Sequence, residues 1–306
     1  MADGLSGREA GIKRRSFLVE LTMRLVKEKP LGMVTGVITL LLFLVAVFAD
    51  LLAPYGMNEM TGRRLLSPSA SFWMGTDQLG RDLLSRIIYG ARISLTVGLV
   101  GSMLATSISV LIGIVSGYSG GKFDLIMQRF VDSWLCFPGL VVLMVLISMM
   151  DHGMWQIIIA VGILWGIGGS RIIRGAAMSI KENTYIEAAK AIGCSKNRIL
   201  IRHILPNIMA SAIVLFTTNM PGMIIAEASL SFLGFGVPPP TPTWGSMLSG
   251  SVRRYMFLNP WMVIWPGLAL TIVVVSINLF GDALRDILDP RLKGRGGRYK
   301  AAVKRN

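Results

Sequence analysis

Six stretches of this chain run without a charged side chain for about the length that a membrane requires: Leu31–Ala49, Ile93–Val115, Ser133–Met150, Gly153–Ser170, Asn207–Ala226 and Trp261–Phe280. A hydrocarbon layer about 30 Å thick takes about 20 apolar residues when crossed as a helix. The pattern predicts an all-α membrane protein with six transmembrane helices. Little more than Asp151 and His152 separates the third stretch from the fourth, so these two should form a tight hairpin. The polar segments divide the chain into a basic tail (1–30), a first span (31–52), an outer segment (53–91), a five-helix core (92–283) and a second basic tail (284–306). Within the core, only an insert at 171–206 and a loop at 227–260 are long.

Finer features sit on this frame. Pro221 and Pro266 fall inside the fifth and sixth spans and should kink them, freeing carbonyls near a cavity. "VPPPTPTW" (237–244) suits neither helix nor central strand and reads as a rigid outer loop. Gly113-x-x-x-Gly117 and Gly162-x-x-x-Gly166 fit close helix packing within the membrane.

Composition agrees with the pattern. The 306 residues are 53% hydrophobic and 16% charged, with a mean hydropathy of +0.60. Soluble domains carry roughly 25% charged residues. A net charge of +14 would suit nucleic acid, but its distribution argues otherwise. Seven Lys/Arg precede residue 31, two lie in 116–132, seven in 171–206 and eight after 280, which puts 24 of the 31 on one side of a six-span chain. That is the positive-inside asymmetry, and it predicts that both termini are cytoplasmic. Anionic lipid headgroups, not nucleic acid, are the expected partners of this charge. The first span reads as a retained helix, being longer than a signal's apolar core and preceded by 30 residues. Cys136 is expected in a span and Cys194 in a cytoplasmic loop, so no disulfide between them is expected.

Catalytic chemistry is hard to place. "GYSGG" (117–121) matches the G-x-S-x-G nucleophile elbow, but a short turn between two spans lacks the strand and helix that the elbow needs. The histidines, His152 and His203, are assigned to opposite sides of the membrane. Neither a metal-ligand cluster nor a G-x-x-x-x-G-K-[ST] phosphate loop occurs, so no catalytic or metal-binding residue and no cofactor is assigned, and any ATP must be bound by another chain. A transporter driven by an ion gradient would need ionisable groups within its spans, which here are nearly free of them.

The insert is the unusual passage. In "IEAAKAIGCSKNRILIRHILPN" (186–207), Thr184 and Glu187 can form a T-x-x-E capping box just at its start. Gly193 would end the helix in a left-handed conformation. Ser195 would cap a second short helix, Lys196–Leu205, before Pro206 opens the fifth span. Ala188 and Ala189 would let a partner surface come close. Local chemistry alone leaves open an amphipathic helix lying on lipid headgroups.

This stretch resembles the EAA loop of ATP-binding-cassette importer permeases: Glu187, Ala188, Ala189 and Gly193 are in place, and "Ile204-Leu205-Pro206" closes the motif without the usual residue between Ile and Leu. "GTDQLGRDLLSRIIYGARISL" (75–95), "EASLSFLGFGVPPPTPTWGSML" (227–248) and "NLFGDALRDILDPRLK" (278–293) resemble the C-type permease of dipeptide, oligopeptide and nickel importers. The resemblance implies a type I importer fold in a bacterial or archaeal cytoplasmic (inner) membrane. It implies a sister permease, two ATPase subunits that bind ATP, and an extracytoplasmic substrate-binding protein. It also implies that Glu187, Ala188, Ala189, Gly193, Leu205 and Pro206 couple to an ATPase, with di- or oligopeptides, nickel chelates or glutathione as substrate. Other candidates stay open between two readings. Asp132, Pro221 and Glu227 either border the pathway or, for Asp132, pair with Arg129 one helical turn away. Asp77, Arg81, Asp82 and Arg86 either dock the binding protein or rigidify the outer segment.

Overall fold

The computed structural model describes residues 17–288, and throughout them the chain is helix and loop. In chain order the helices are α1 (Phe17–Glu28), α2 (Pro30–Val47), α3 (Ala49–Leu52), α4 (Leu83–Ser119), α5 (Gly121–Leu135), α6 (Gly139–Ser148), α7 (Met154–Lys181), α8 (Thr184–Ala191), α9 (Lys196–Ile199), α10 (Leu205–Leu233), α11 (Ser251–Tyr255) and α12 (Trp261–Leu288). Five of these elements are long and apolar enough to cross a membrane: α2, α4, α7, α12 and the continuous run from Lys196 to Leu233.

The sixth expected span differs in form. The stretch read as one helix, Ser133–Met150, is split between α5 and α6, which bend by 87° at the break. Pro138 is the cause: it offers no N–H to the preceding turn, and its ring disfavours the helical conformation at Phe137. Pro138 itself is extended (φ −59°, ψ 121°) and starts α6. With ten residues, α6 covers about 15 Å, roughly half the hydrocarbon layer, so only the bent pair together makes a crossing.

Other boundaries shift because side chains pack beyond the apolar stretches. Helix α4 begins at Leu83, so the last part of the expected outer segment 53–91 is helical. Residues 17–28 of the expected tail form α1, whose Leu25 is buried with Ala283 and Ile287 at the end of α12. Lys29 ties the same corner to Asp286 at 2.6 Å. The rest of the first tail and residues 289–306, including the expected disorder of the C-terminal tail, lie outside the described residues.

Helices α4 and α7 form the most extensive pair, and α10 packs across both. Small residues permit this. A Cβ on Gly113 would come within 2.7 Å of Ile173 Cβ, and one on Gly166 within 2.7 Å of Ile108 Cβ. Both glycine motifs therefore line the α4–α7 seam, Gly113 and Gly117 against residues 170–177 and Gly162 and Gly166 against residues 104–108. Pro221 is buried in α10, and the helix continues through it. Helix α2 turns Leu31, Val34, Leu40, Leu41 and Leu44 outward, as a lipid-facing helix should.

Candidate functional site

The insert is a rigid extension of two spans. Helix α7 continues past Ser170 to Lys181, and α8 follows after a short turn. The capping box is absent. Asn183 holds the N-cap position with extended backbone, and Thr184 is already helical. Asn183 Nδ2 donates back to Ile180 O at 3.0 Å, so this side chain closes α7 and leaves α8 without a side-chain cap.

The exit from α8 matches expectation. Gly193 adopts φ +79°. Its N–H donates to Lys190 O, and the Cys194 N–H donates to Ala189 O, both at 3.0 Å. These two bonds make a Schellman end. Ser195 Oγ then accepts from Arg198 N at 3.4 Å to open α9. The second short helix does not stop at Leu205. It passes through a π-helical turn, Leu200–Ile204, into α10. The Leu205 N–H donates to Leu200 O, five residues back. Pro206 explains this turn: it has no N–H for Arg202 O, and the widened turn relieves its ring.

Burial separates the residues of this motif. Ile186 and Ala189 are buried against Tyr118, Ile173, Ala177, Ile199, Ile204 and Ile208, where the end of α4, the end of α7 and the start of α10 meet. Ala189 therefore faces the chain's own core, which corrects the expectation that it offers contact surface. Glu187 and Ala188 are exposed, as are Tyr185 (43%), Ile192 (81%) and Ile201 (66%). Leu205 is half-buried and Pro206 exposed. Large apolar side chains left open beside a basic surface suit a protein partner better than water. Lys181 and Lys190 sit over the Tyr118 ring at 5.6 and 5.7 Å.

Two ion pairs brace this base, and the sequence pointed to only part of one. Arg174 of α7 grips both oxygens of Asp124 of α5, with Nε 2.6 Å from Oδ1 and a terminal nitrogen 2.5 Å from Oδ2. Ser116 of α4 donates to the same carboxylate. Asp124 thus links α4, α5 and α7, and nothing in its local sequence marks it. Asp132 pairs with Arg129 at 3.4 Å, as read from the sequence, and also with Arg171 of α7.

In the segment that leads into α4 and in that helix's first turn, Asp77, Arg81, Asp82 and Arg86 are all buried (2–9% exposed), so they do not form an exposed docking face. They organise the outer segment. Asp82 caps α4, accepting from Ser85 N at 2.8 Å and Ser85 Oγ at 2.7 Å. Asp77 accepts from Leu79 N, Arg81 N and Arg81 Nε at 2.7–2.9 Å. Arg86 lies 3.6 Å from Asp77 and reaches Met57 O at 3.3 Å. Asp50 hydrogen-bonds Arg92 at 2.9 Å, and that bond holds its carboxyl below the usual carboxylate range. The loop after α10 closes over these residues: Trp244 is buried and donates to Ile87 O at 3.1 Å, while Asn259 Nδ2 donates to Leu66 O and Thr76 O.

Glu227 is fully buried, accepting from Ser94 of α4 at 2.8 Å and from Ser231 at 2.7 Å. It ties α4 to α10 and borders no open space in this conformation. Pro221, a second of the three pathway candidates, is also buried, whereas the Asp132 side chain is 42% exposed.

Comparison with known proteins agrees with this architecture. Residues 109–294 match the family described as binding-protein-dependent transport system inner membrane component, and residues 18–68 match the N-terminal TM domain of oligopeptide transport permease C. The chain is 39% identical over 273 residues to the glutathione transport system permease protein GsiD of Escherichia coli O6:K15:H31 (strain 536 / UPEC), covering 89% of this chain and 90% of that one. It is 40% identical over 260 residues to GsiD of Pectobacterium atrosepticum, covering 84% and 86%. Among solved structures it shares the fold of a chain from inward-facing conformations of the MetNI methionine ABC transporter, with a TM-score of 0.56 and 16% identity over 67% of this chain and 96% of that one. The chain therefore belongs to the binding-protein-dependent transport system inner membrane component family, as a multi-pass C-type permease of the peptide, oligopeptide and nickel importers and not an enzyme itself.

Proposed function

We propose that this chain forms half of the pathway of an ATP-driven importer for small peptides, paired with a sister permease and served by two ATPase subunits and an extracytoplasmic binding protein. Both termini and α8 lie on the cytoplasmic side. The observation that carries the reading is the mounting of α8. Its buried side joins the ends of α4, α7 and α10, while Tyr185, Glu187, Ala188 and Ile192 stay open. A partner that grips the open side moves three spans through packed contacts, with only short turns joining α8 to α7 and α9. ATP-driven closure of an ATPase pair would then bias the spans between two states, through differential contact in each.

Di- or oligopeptides are the substrate class, by the permease group to which the chain belongs. Glutathione, itself a short peptide, is the second reading, favoured by the names of the 39–40% identical relatives. The test is reconstitution of this chain with its sister permease, ATPases and binding protein in vesicles. ATP-dependent accumulation of labelled alanyl-alanine or glutathione is expected. Uptake driven by an ion gradient with the ATPases omitted would overturn the proposal.

A further inference from the structure

The outer end of the molecule contains a cavity of about 310 Å³, walled by the start of α4, the end of α10 and the proline-rich loop. Asp77, Arg81, Arg86, Ser231, Ser246 and Pro240 are among its lining. Two guanidinium groups meet one carboxylate there, and Asp77 is the only acid in the lining among the described residues. Asp77 already accepts two backbone N–H groups besides its arginine contacts. Among the described residues, Arg81 donates from its side chain only through Nε, and its two terminal amino groups have no acceptor among them. Arg86 is held by contacts of 3.3–3.6 Å, at the long end of the range for a charged donor. The Arg81 and Arg86 side chains are only 11% and 9% exposed. Asp82, the other buried acid of this cluster, is engaged by Ser85.

We infer that this cavity binds a carboxylate of the incoming substrate, such as the C-terminal carboxylate of a short peptide. A guanidinium presents paired N–H groups that match a carboxylate's two oxygens, and the Arg81 terminal amino groups, which line the cavity, are the donors available for one. The volume suits a small ligand, at the lower end of the range of about 300–1,000 Å³ typical of ligand pockets. The inference rests on the importer reading, which puts this end on the side from which substrate arrives. It also accounts for charged side chains that the fold buries instead of leaving in water.

Ligand-observed saturation-transfer NMR on the assembled permease–ATPase complex in nanodiscs, without nucleotide or binding protein, tests the site directly. Alanyl-alanine should give a saturable signal, and alanyl-alaninamide, which lacks the carboxylate, should bind about tenfold to a hundredfold more weakly. Arg81→Gln should remove that preference. Because the ligand comparison uses the unaltered protein, it holds even if the variant fails to assemble. Equal binding of the acid and the amide overturns the inference. So does loss of binding-protein docking in Arg81→Gln with the dipeptide signal intact, which would make the cavity a seat for an acidic side chain of that protein. ATP-dependent uptake by the unaltered complex is measured separately. Its absence would remove the importer reading, whereas normal uptake with no carboxylate preference would remove only the site.

Discussion

Replacing Ala189 with Arg separates the two sides of α8. This helix is seated through Ile186 and Ala189, which are 0% and 6% exposed. Lifting it away would expose an isoleucine side chain, at about 1.5–3 kcal/mol, and a methyl group, at about 0.8 kcal/mol. Unseating therefore costs about 2–4 kcal/mol, so the segment is open in the native chain roughly once in 30 to once in 1,000 molecules. Forcing a guanidinium into this apolar cluster costs several kcal/mol more than an unpaired methyl would. The cheaper response is for α8 to leave its seat while the spans stay inserted. Trypsin cleavage after Lys190 follows the open population. It should accelerate in the purified Ala189→Arg variant by up to the same roughly 30- to 1,000-fold, with uptake lost in the complex. Ala188→Arg lies on the exposed side. It should leave proteolysis unchanged and still abolish uptake and ATPase copurification, by blocking close approach. If Ala189→Arg remains protease-resistant and transports normally, both the seating of α8 and its coupling role are wrong.

Other tests reach the rest of the molecule. Gly166→Val drives a side chain into Ile108, where a Cβ already meets contacts of 2.7 Å. It should lower stability by about 1–3 kcal/mol in thermal unfolding, whereas Gly175→Ala on the same helix, with open space around it, should be neutral or slightly stabilising. Glu227→Leu leaves the Ser94 and Ser231 hydroxyls without their acceptor and should destabilise by about 1–3 kcal/mol, while Glu227→Gln, which keeps an acceptor oxygen, should lose less. Reporter fusions within 181–198 should read cytoplasmic and those near Gly56 and Pro240 external. A cytoplasmic report from Pro240 would break the topology.

Much of this protein follows from local order along the chain. Uncharged stretches of about twenty residues favour helix, because lipid offers the backbone no hydrogen bonds, and five of the six lie in helices long and apolar enough to cross a membrane, the third being broken at Pro138. Gly193 must end α8, because a left-handed turn suits glycine. The glycine motifs indicate close packing, because they depend on short spacings. Folding decided what depends on residues far apart. Whether Ala188 or Ala189 faces outward rests on where Ile173, Ile204 and Ile208 come to lie. Asp124 gains its importance only when Arg174, fifty residues on, reaches it. The four charged residues at 77–86 read equally well as an exposed face until the loop carrying Trp244 and Asn259 closes over them. Burial, ion pairing and cavities are sums over neighbours that the chain brings together only in three dimensions, so spacing along the sequence could not rank those alternatives.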